Sequence, residues 1–212
     1  MRDGIETAAM VMNEDVETDT SLSAALRRLR RENAALRREV QALHVYRTMA
    51  YFDALTGLHN RRYFDERLRE ECARADRLRT HEFSVVLVDV DDFKSVNDDY
   101  GHATGDEVLV AVAKLLKENV REVDICCRIG GDEFALLLPN TGEQGAQVVV
   151  ERLRSRLAQG RLGGPVNVGL SIGAAACPPG PAALDALISQ ADTAMYLDKR
   201  RRKQPRQRLA AV

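Results

Sequence analysis

Three groups of residues in this 212-residue chain have types and spacings suited to chemistry. Asp89 and Asp91 stand in Asp89-Val-Asp-Asp-Phe-Lys94, where an apolar run ends. Carboxylates at the C-terminal edge of a buried strand are well placed to hold a hard cation such as Mg²⁺. Gly130-Gly131, followed by Asp132-Glu133, sets a second acidic pair beside a backbone with no Cβ, which an anion can approach closely. Lys94, Asn97 and Asp106 add a cation and two groups able to hydrogen-bond the edge of a base. Together these suit a Mg²⁺–nucleotide site. Singly, each also has a structural explanation: Asp-Asp clusters cap turns, and Gly-Gly closes hairpins with no ligand present.

The elements that must position these residues are legible from hydrophobic periodicity. Phe83–Val90 is a continuous apolar run ending in Asp89, as expected of a buried central strand. Before it, 63–78 reads as a helix with Phe64, Leu68, Cys72 and Ala75 on one face. After it come a helix over 105–118, a strand over 124–129 and a returning strand over 132–138. Gly130-Gly131 between the two strands predicts a two-residue hairpin with both glycines at positive φ. A helix (143–159), a strand (167–177) and a last helix (182–200) complete an order of β-α-β-β-α-β-α. That is an α+β fold with a ferredoxin-like, antiparallel-containing sheet flanked by helices.

Upstream, residues 1–20 carry six acids against one Arg and read as a flexible acidic arm. From Ser21 a heptad appears, with Leu26, Asn33 and Val40 at a and Leu22, Leu29, Leu36 and Leu43 at d. Leu at d with a single Asn at a favours a parallel two-stranded coil, and the g-to-e pairs Glu32–Arg37 and Glu39–His44 agree. A homodimer through residues 21–50 is expected, followed by a globular domain over 51–203 and a basic tail over 204–212.

Composition limits the classes further. The chain is 45% apolar and 30% charged with a net charge of −1, too apolar to be wholly disordered and too neutral to point to nucleic acid. No apolar run approaches the ~20 residues needed to span a bilayer, and the acidic N-terminus is unlike a signal peptide, so a cytoplasmic location is expected. Cys72, Cys126, Cys127 and Cys177 lack the spacing of a zinc site and read as reduced, partly buried thiols.

Arg128-Ile-Gly-Gly-Asp-Glu-Phe134 resembles the signature of the GGDEF family of diguanylate cyclases. Asp53-Ala-Leu-Thr-Gly-Leu-His-Asn-Arg-Arg62 is similar to that family's opening motif. Asp89–Asp98, Tyr100-Gly-His102 and Gly105-Asp106 are similar to its metal- and base-binding stretch, and Ser171-Ile-Gly173 and Ala191–Tyr196 to its late motifs. The resemblance runs from about Asp53 to Lys203 in the family's order.

The resemblance implies condensation of two GTP into cyclic di-GMP, with two Mg²⁺ per active site held by Asp89, the Val90 carbonyl and Asp132. It places Phe93, Lys94 and the Gly131 backbone beside the phosphates, and makes Asn97 and Asp106, with His102 nearby, the guanine readers. An aspartate accepts from guanine N1–H and N2–H₂ but mismatches adenine, which favours GTP over ATP. Glu133 is the expected partner of the attacking 3′-hydroxyl, with Asp132 and Lys94 beside it in the catalytic set. Arg121 and Asp124 match the family's RxxD product-inhibition site, with Arg152 as its second arginine. The last helix departs from the family's Lys-x-x-Gly-Arg-Asn: Lys199 is kept, but Arg202 replaces the glycine and Lys203 the phosphate-facing arginine, losing a bidentate fork. A stalk with no sensor domain is similar to cyclases of the SiaD kind, which work with an activator protein, here expected on the stalk. A non-catalytic GTP or cyclic di-GMP binding module signalling through the stalk is the alternative, as is a coiled-coil scaffold with a vestigial domain.

Overall fold

The computed structural model describes the backbone of residues 3–78, 80–160, 162, 166–177 and 184–203, and side chains from Leu26 onward within these, His44 apart. The basic tail 204–212 lies outside the described residues, as does the placement of the Leu22 side chain.

Two compact units divide at residue 48. The first is most of helix α1, Asp3–Tyr51. Its Leu26, Leu29, Leu36, Val40 and Leu43 are all exposed, forming the heptad stripe of the sequence. Asn33 sits in that stripe and accepts a hydrogen bond from Arg37 Nε at 3.0 Å. The helix also runs through 3–20, where an irregular arm is expected from composition; Ala8, Ala9, Met10 and Met12 are good helix formers and no proline interrupts them.

The second unit is built on a five-stranded sheet in the order β1-β3-β4-β2-β5. The elements are β1 His59–Asn60, α2 Arg61–Arg77, β2 Phe83–Val90, α3 Phe93–Tyr100, α4 His102–Glu118, β3 Ile125–Arg128, β4 Glu133–Pro139, α5 Glu143–Ala158, β5 Leu170–Cys177 and α6 Leu184–Lys203. All pairings are antiparallel except the short edge strand β1, which runs parallel to β3. This is the expected α+β class.

Every residue of β2 is buried, so its two faces have different partners. Val86, Val88 and Val90 pack with α4 and α5, whereas Phe83, Val85 and Leu87 pack with α2 and α6. Strand alternation therefore sends Asp89 to the α2/α6 face. Glu133 lies directly across from Asp89 and shares that face with Ala135 and Leu137. Helix α6 comes down hard on β5 at Gly173, where a Cβ would stand 2.1 Å from the Met195 nitrogen. A buried carboxylate, Glu71, ties α2 to the start of β2 through His81 Nε2 at 2.7 Å.

Three sequence expectations need correction. The predicted helix 105–118 begins earlier and is preceded by a separate helix, α3; Gly101, at φ 84°, breaks the chain between them. Strand β5 starts at Leu170, not Asn167, and the last helix extends to Lys203, its predicted start at 182 lying outside the described residues. The signature hairpin is not a two-residue turn with glycines at positive φ. Residues 129–132 intervene, the Ile129 and Gly130 amides both donate to the Glu133 carbonyl, and neither glycine has positive φ. The Glu133 carboxylate instead lies where a Gly130 side chain would begin: a Cβ there would stand 2.5 Å from Glu133 Oε2.

Candidate active site

The C-terminal end of β2 is gripped from both neighbouring strands. The Val90 amide donates to the Asp132 carbonyl (3.1 Å) and the Asp91 amide to the Gly169 carbonyl (2.9 Å). Asp89, Val90 and Asp132 thus meet at one sheet edge. Asp92 then turns the chain into α3 with a left-handed backbone, φ 54°.

Each of the three aspartates has its own partner. Asp89 accepts from Lys199 Nζ at 2.6 Å, and Asp92 from Lys203 Nζ at 2.8 Å. Asp91 accepts from Ser171 Oγ at 2.5 Å. Burial raises the Asp91 carboxyl above its ordinary value despite that hydroxyl. The hydrogen bond to Asp89 raises the Lys199 ammonium, with Asp91 and Asp132 adding to the effect. The edge is therefore strongly negative, with two α6 lysines as its countercharge. Lys203 is able to reach the aspartates from α6 although it is not the expected arginine.

Arg128 fixes the signature loop. Its Nη2 donates to the Gly131 carbonyl at 2.8 Å and its Nη1 to both Asp53 oxygens at 3.2 and 3.3 Å. Burial alone would raise the Asp53 carboxyl, but Thr56 and the Arg128 guanidinium outweigh it and hold it low. A Cβ at Gly131 would meet nothing, so this stretch of backbone is open to an approaching group.

Among the described residues, no three side chains of His, Cys, Asp and Glu converge as a ready-made metal cage. The donor set at the edge is two carboxylates, Asp89 and Asp132, and the Val90 carbonyl. These hard oxygens fit Mg²⁺, which is commonly held by one or two carboxylates and completed by water and substrate phosphates. That Asp89 already holds an ammonium shows its carboxylate to be available to a cation.

The expected base readers stand where α3 meets α4. Asn97 reaches over Gly105 so closely that a Cβ there would lie 2.0 Å from its Oδ1, with Phe93 Cζ 3.2 Å from the same point. Asp106, one residue on, borders a cavity of about 460 Å³ with Leu55. Lys94 and His102 are exposed. At a second place, Arg121, Asp124 and Arg152 line one cavity of about 160 Å³ with Leu138, Val148 and Val149. The Arg121 amide donates to Asp124 Oδ2 at 2.7 Å, while Asp124 Oδ1 is buried without a hydrogen-bond partner. Burial raises the Asp124 carboxyl, with Arg121 and Arg152 opposing it.

Some site residues were not singled out from sequence. Asp198 accepts from the Ile172 amide (2.9 Å), Arg154 Nη2 (3.0 Å) and Arg202 Nε (3.3 Å), which seats α6 and its lysines. Its one visible signal is that it is the lone acid beside the basic run 199–203. Arg61 reaches the signature loop, with Nε 2.6 Å from the Ile129 carbonyl and Nη2 3.8 Å from Glu133 Oε2. No disulfide joins the four cysteines, all of them buried, and burial pushes the Cys72 and Cys126 thiols up to about 11 and about 12.

Known proteins resemble this chain in sequence and in fold. Residues 50–205 match the family described as "Diguanylate cyclase, GGDEF domain". The chain is 42% identical over 153 residues to the diguanylate cyclase DosC of Escherichia coli, covering 70% of this chain and 33% of DosC. It is 35% identical over 194 residues to the diguanylate cyclase DgcP of Pseudomonas aeruginosa, covering 88% of this chain and 29% of DgcP. The chain thus spans about a third of these relatives' length. Among solved structures, the coiled coil and GGDEF domain of DgcB from Caulobacter crescentus, in complex with c-di-GMP, superposes with a TM-score of 0.72 at 30% identity, over 82% of this chain and 93% of that one. The diguanylate cyclase SiaD from Pseudomonas aeruginosa, in complex with its activator SiaC, gives 0.66 at 34% identity, over 94% and 79%.

Proposed function

The chain belongs to the GGDEF diguanylate cyclase domain family, and on that premise we propose that it condenses two GTP into cyclic di-GMP and two pyrophosphates as a homodimer. The observation that carries this reading is the β2/β4 edge, where Asp89, the Val90 carbonyl and Asp132 meet beside the Lys199 ammonium.

In this reading Asp89, the Val90 carbonyl and Asp132 would hold two Mg²⁺. When bound, the metal supplies charge neutralisation along the triphosphate and polarises the α-phosphorus. Lys199 and Lys203 exchange their aspartates for phosphate oxygens, and Phe93, Lys94 and the Gly131 backbone line the phosphate path. Asn97 and Asp106, with His102 at the rim, read guanine. Glu133 accepts the hydrogen bond of the attacking 3′-hydroxyl. Each 3′-hydroxyl gives up its proton by way of Glu133 to solvent as its oxygen bonds the α-phosphorus of the other GTP, and each bond from the α-phosphorus to the α–β bridging oxygen breaks to release pyrophosphate.

The product has two-fold symmetry, so two half-sites facing across a dimer axis suit the reaction. The exposed stripe Leu26–Leu43 provides that dimer through a stalk over 21–50, between an arm over 1–20 and a catalytic domain over 51–203, with the tail 204–212 beyond it. Arg121, Asp124 and Arg152 take cyclic di-GMP as a feedback inhibitor, the orphaned Asp124 Oδ1 being ready for a guanine N–H. SiaD is a precedent for an activator protein, which here docks on the stalk. Among the described residues no helix is long and apolar enough to cross a membrane, and the protein works where GTP is made, in the cytoplasm.

Purified protein incubated with GTP and Mg²⁺, with Asp132→Ala as control, tests the proposal. Cyclic di-GMP resolved chromatographically from the wild type alone is the expected result. GTP left intact by a dimeric wild type, with or without cell extract, refutes it in favour of a binding module.

A further inference from the structure

Two consecutive residues bridge the end of α1 and the signature loop. Asn60 uses its side chain twice. Its Oδ1 accepts from the Tyr63 amide at 3.1 Å, capping α2. Its Nδ2 donates to the Ala50 carbonyl in the last turn of α1 at 3.0 Å, and to the Phe52 carbonyl at 3.5 Å. The same junction is packed by rings: Phe52 lies 4.4 Å from His59, His59 stacks on Tyr63 at 3.7 Å, and Tyr51 meets Tyr63 edge-on at 5.5 Å. The next residue, Arg61, turns the other way: its Nε donates to the Ile129 carbonyl at 2.6 Å, and its Nη2 comes within 3.8 Å of the Glu133 carboxylate. Through β1 the segment is also paired with Cys127 and Arg128, which lead into that loop.

We propose that Asn60 and Arg61 form a positioning clasp through which the setting of the last turn of α1 fixes the place of Glu133 in the reaction. The proposal rests on the diguanylate cyclase reading and adds a route from stalk to catalytic loop. Movement of the α1 end is passed to α2 at its first turn by Asn60, and from that turn to the loop by Arg61. Neither residue belongs to the groups assigned to GTP binding on α3, α4 and α6. The clasp therefore sets turnover and leaves substrate affinity alone. Misplacing a catalytic group by an ångström commonly costs about 10²-fold in rate, so a partial displacement is expected to cost about ten-fold.

Asn60→Asp separates the clasp from the helix cap. Aspartate caps α2 as well as asparagine does, but it turns an oxygen toward the Ala50 and Phe52 carbonyls in place of a donor. Full-length Asn60→Asp, Arg61→Ala and Arg61→Lys are compared with wild type for kcat, KM for GTP and amide exchange of residues 129–133 and of α2. Asn60→Asp and Arg61→Ala are expected to lower kcat about ten-fold, with KM within about two-fold of wild type. Exchange of 129–133 rises while α2 keeps its protection. Arg61→Lys, which retains a cation and a donor for Ile129, recovers part of the loss. Wild-type kcat and wild-type exchange of 129–133 in Asn60→Asp overturn the clasp. So does a kcat loss accompanied by faster exchange throughout α2, since that marks simple destabilisation. If the wild type makes no cyclic di-GMP, the cyclase reading fails by itself, and the exchange of 129–133 in Asn60→Asp still decides the clasp.

Discussion

Gly105→Ala is the substitution whose outcome most sharply separates fold from function. A glycine inside a helix normally costs about 0.8–1.0 kcal/mol relative to alanine, and Gly105 sits in the first turns of the 17-residue α4. The structure gives the reason it is tolerated. A Cβ at that position would lie 2.0 Å from Asn97 Oδ1 and 3.2 Å from Phe93 Cζ. Both obstacles are ends of side chains, so alanine is accommodated by driving the Asn97 amide away, and no backbone need move. Stability should hold or rise, because the helix propensity gained offsets the small cost of moving Asn97. If Asn97 reads guanine, the displaced amide forfeits a base contact worth about 1–3 kcal/mol. At 1.4 kcal/mol per decade, KM for GTP then rises roughly 5- to 150-fold. A contact made equally in ground and transition states leaves kcat near wild type. Steady-state kinetics beside a thermal melt test this directly. Asn97→Ala should show the same rise, and the double variant no more than either single one, because both remove one contact. A Gly105→Ala protein with unchanged Tm and unchanged KM would refute the assignment of Asn97.

Three other outcomes follow from contacts already described. Asp198→Ala removes the acceptor for one amide and two guanidinium groups at a side chain only 13% exposed, at a cost of about 2–3 kcal/mol. A fall in Tm of roughly 4–12 °C is expected, with a loss of turnover as α6 and its lysines loosen. Asp53 lies below its ordinary value of 3.8, so its contribution to stability is present above that pH and is lost as pH falls through the lower folded value. The stability gap between wild type and Asp53→Asn should therefore be full at pH 6 and narrow below about pH 4 in denaturant titrations. Leu36→Pro breaks the stalk helix at an interior d position at about 3 kcal/mol or more. Turnover at low enzyme concentration should vanish while GTP binding persists; unchanged turnover would count against the stalk as the dimerisation element.

The sequence by itself determined the alternation of the longer strands and helices and the bounds of the central strand, but not α3 or the short β1. Phe83–Val90 is apolar throughout because both its faces are covered, and burial on two sides leaves no ambiguity of length. It also determined which residue types gather around the signature, since short motifs carry their spacing within a few bonds. What it did not determine was which helix covers which face. Alternation places Asp89 opposite Val88 and Val90, but periodicity is silent on whether α4 or α6 lies beyond. Only the assembled sheet and its covering helix bring Lys199 onto Asp89 across 110 residues and seat Asp198 beside β5. The glycines show the same limit. Gly130 looks from sequence like a residue chosen for its backbone angles, yet the fold uses it as a space for Glu133, because crowding depends on where a side chain lands rather than on the chain's own torsions. Asn60 and Arg61 stand out in sequence only as members of the opening motif, with nothing to show what they touch. Their contacts with Ala50 and Ile129 exist because β1 pairs with β3 and lays the end of α1 and the signature loop on either side of the same two residues.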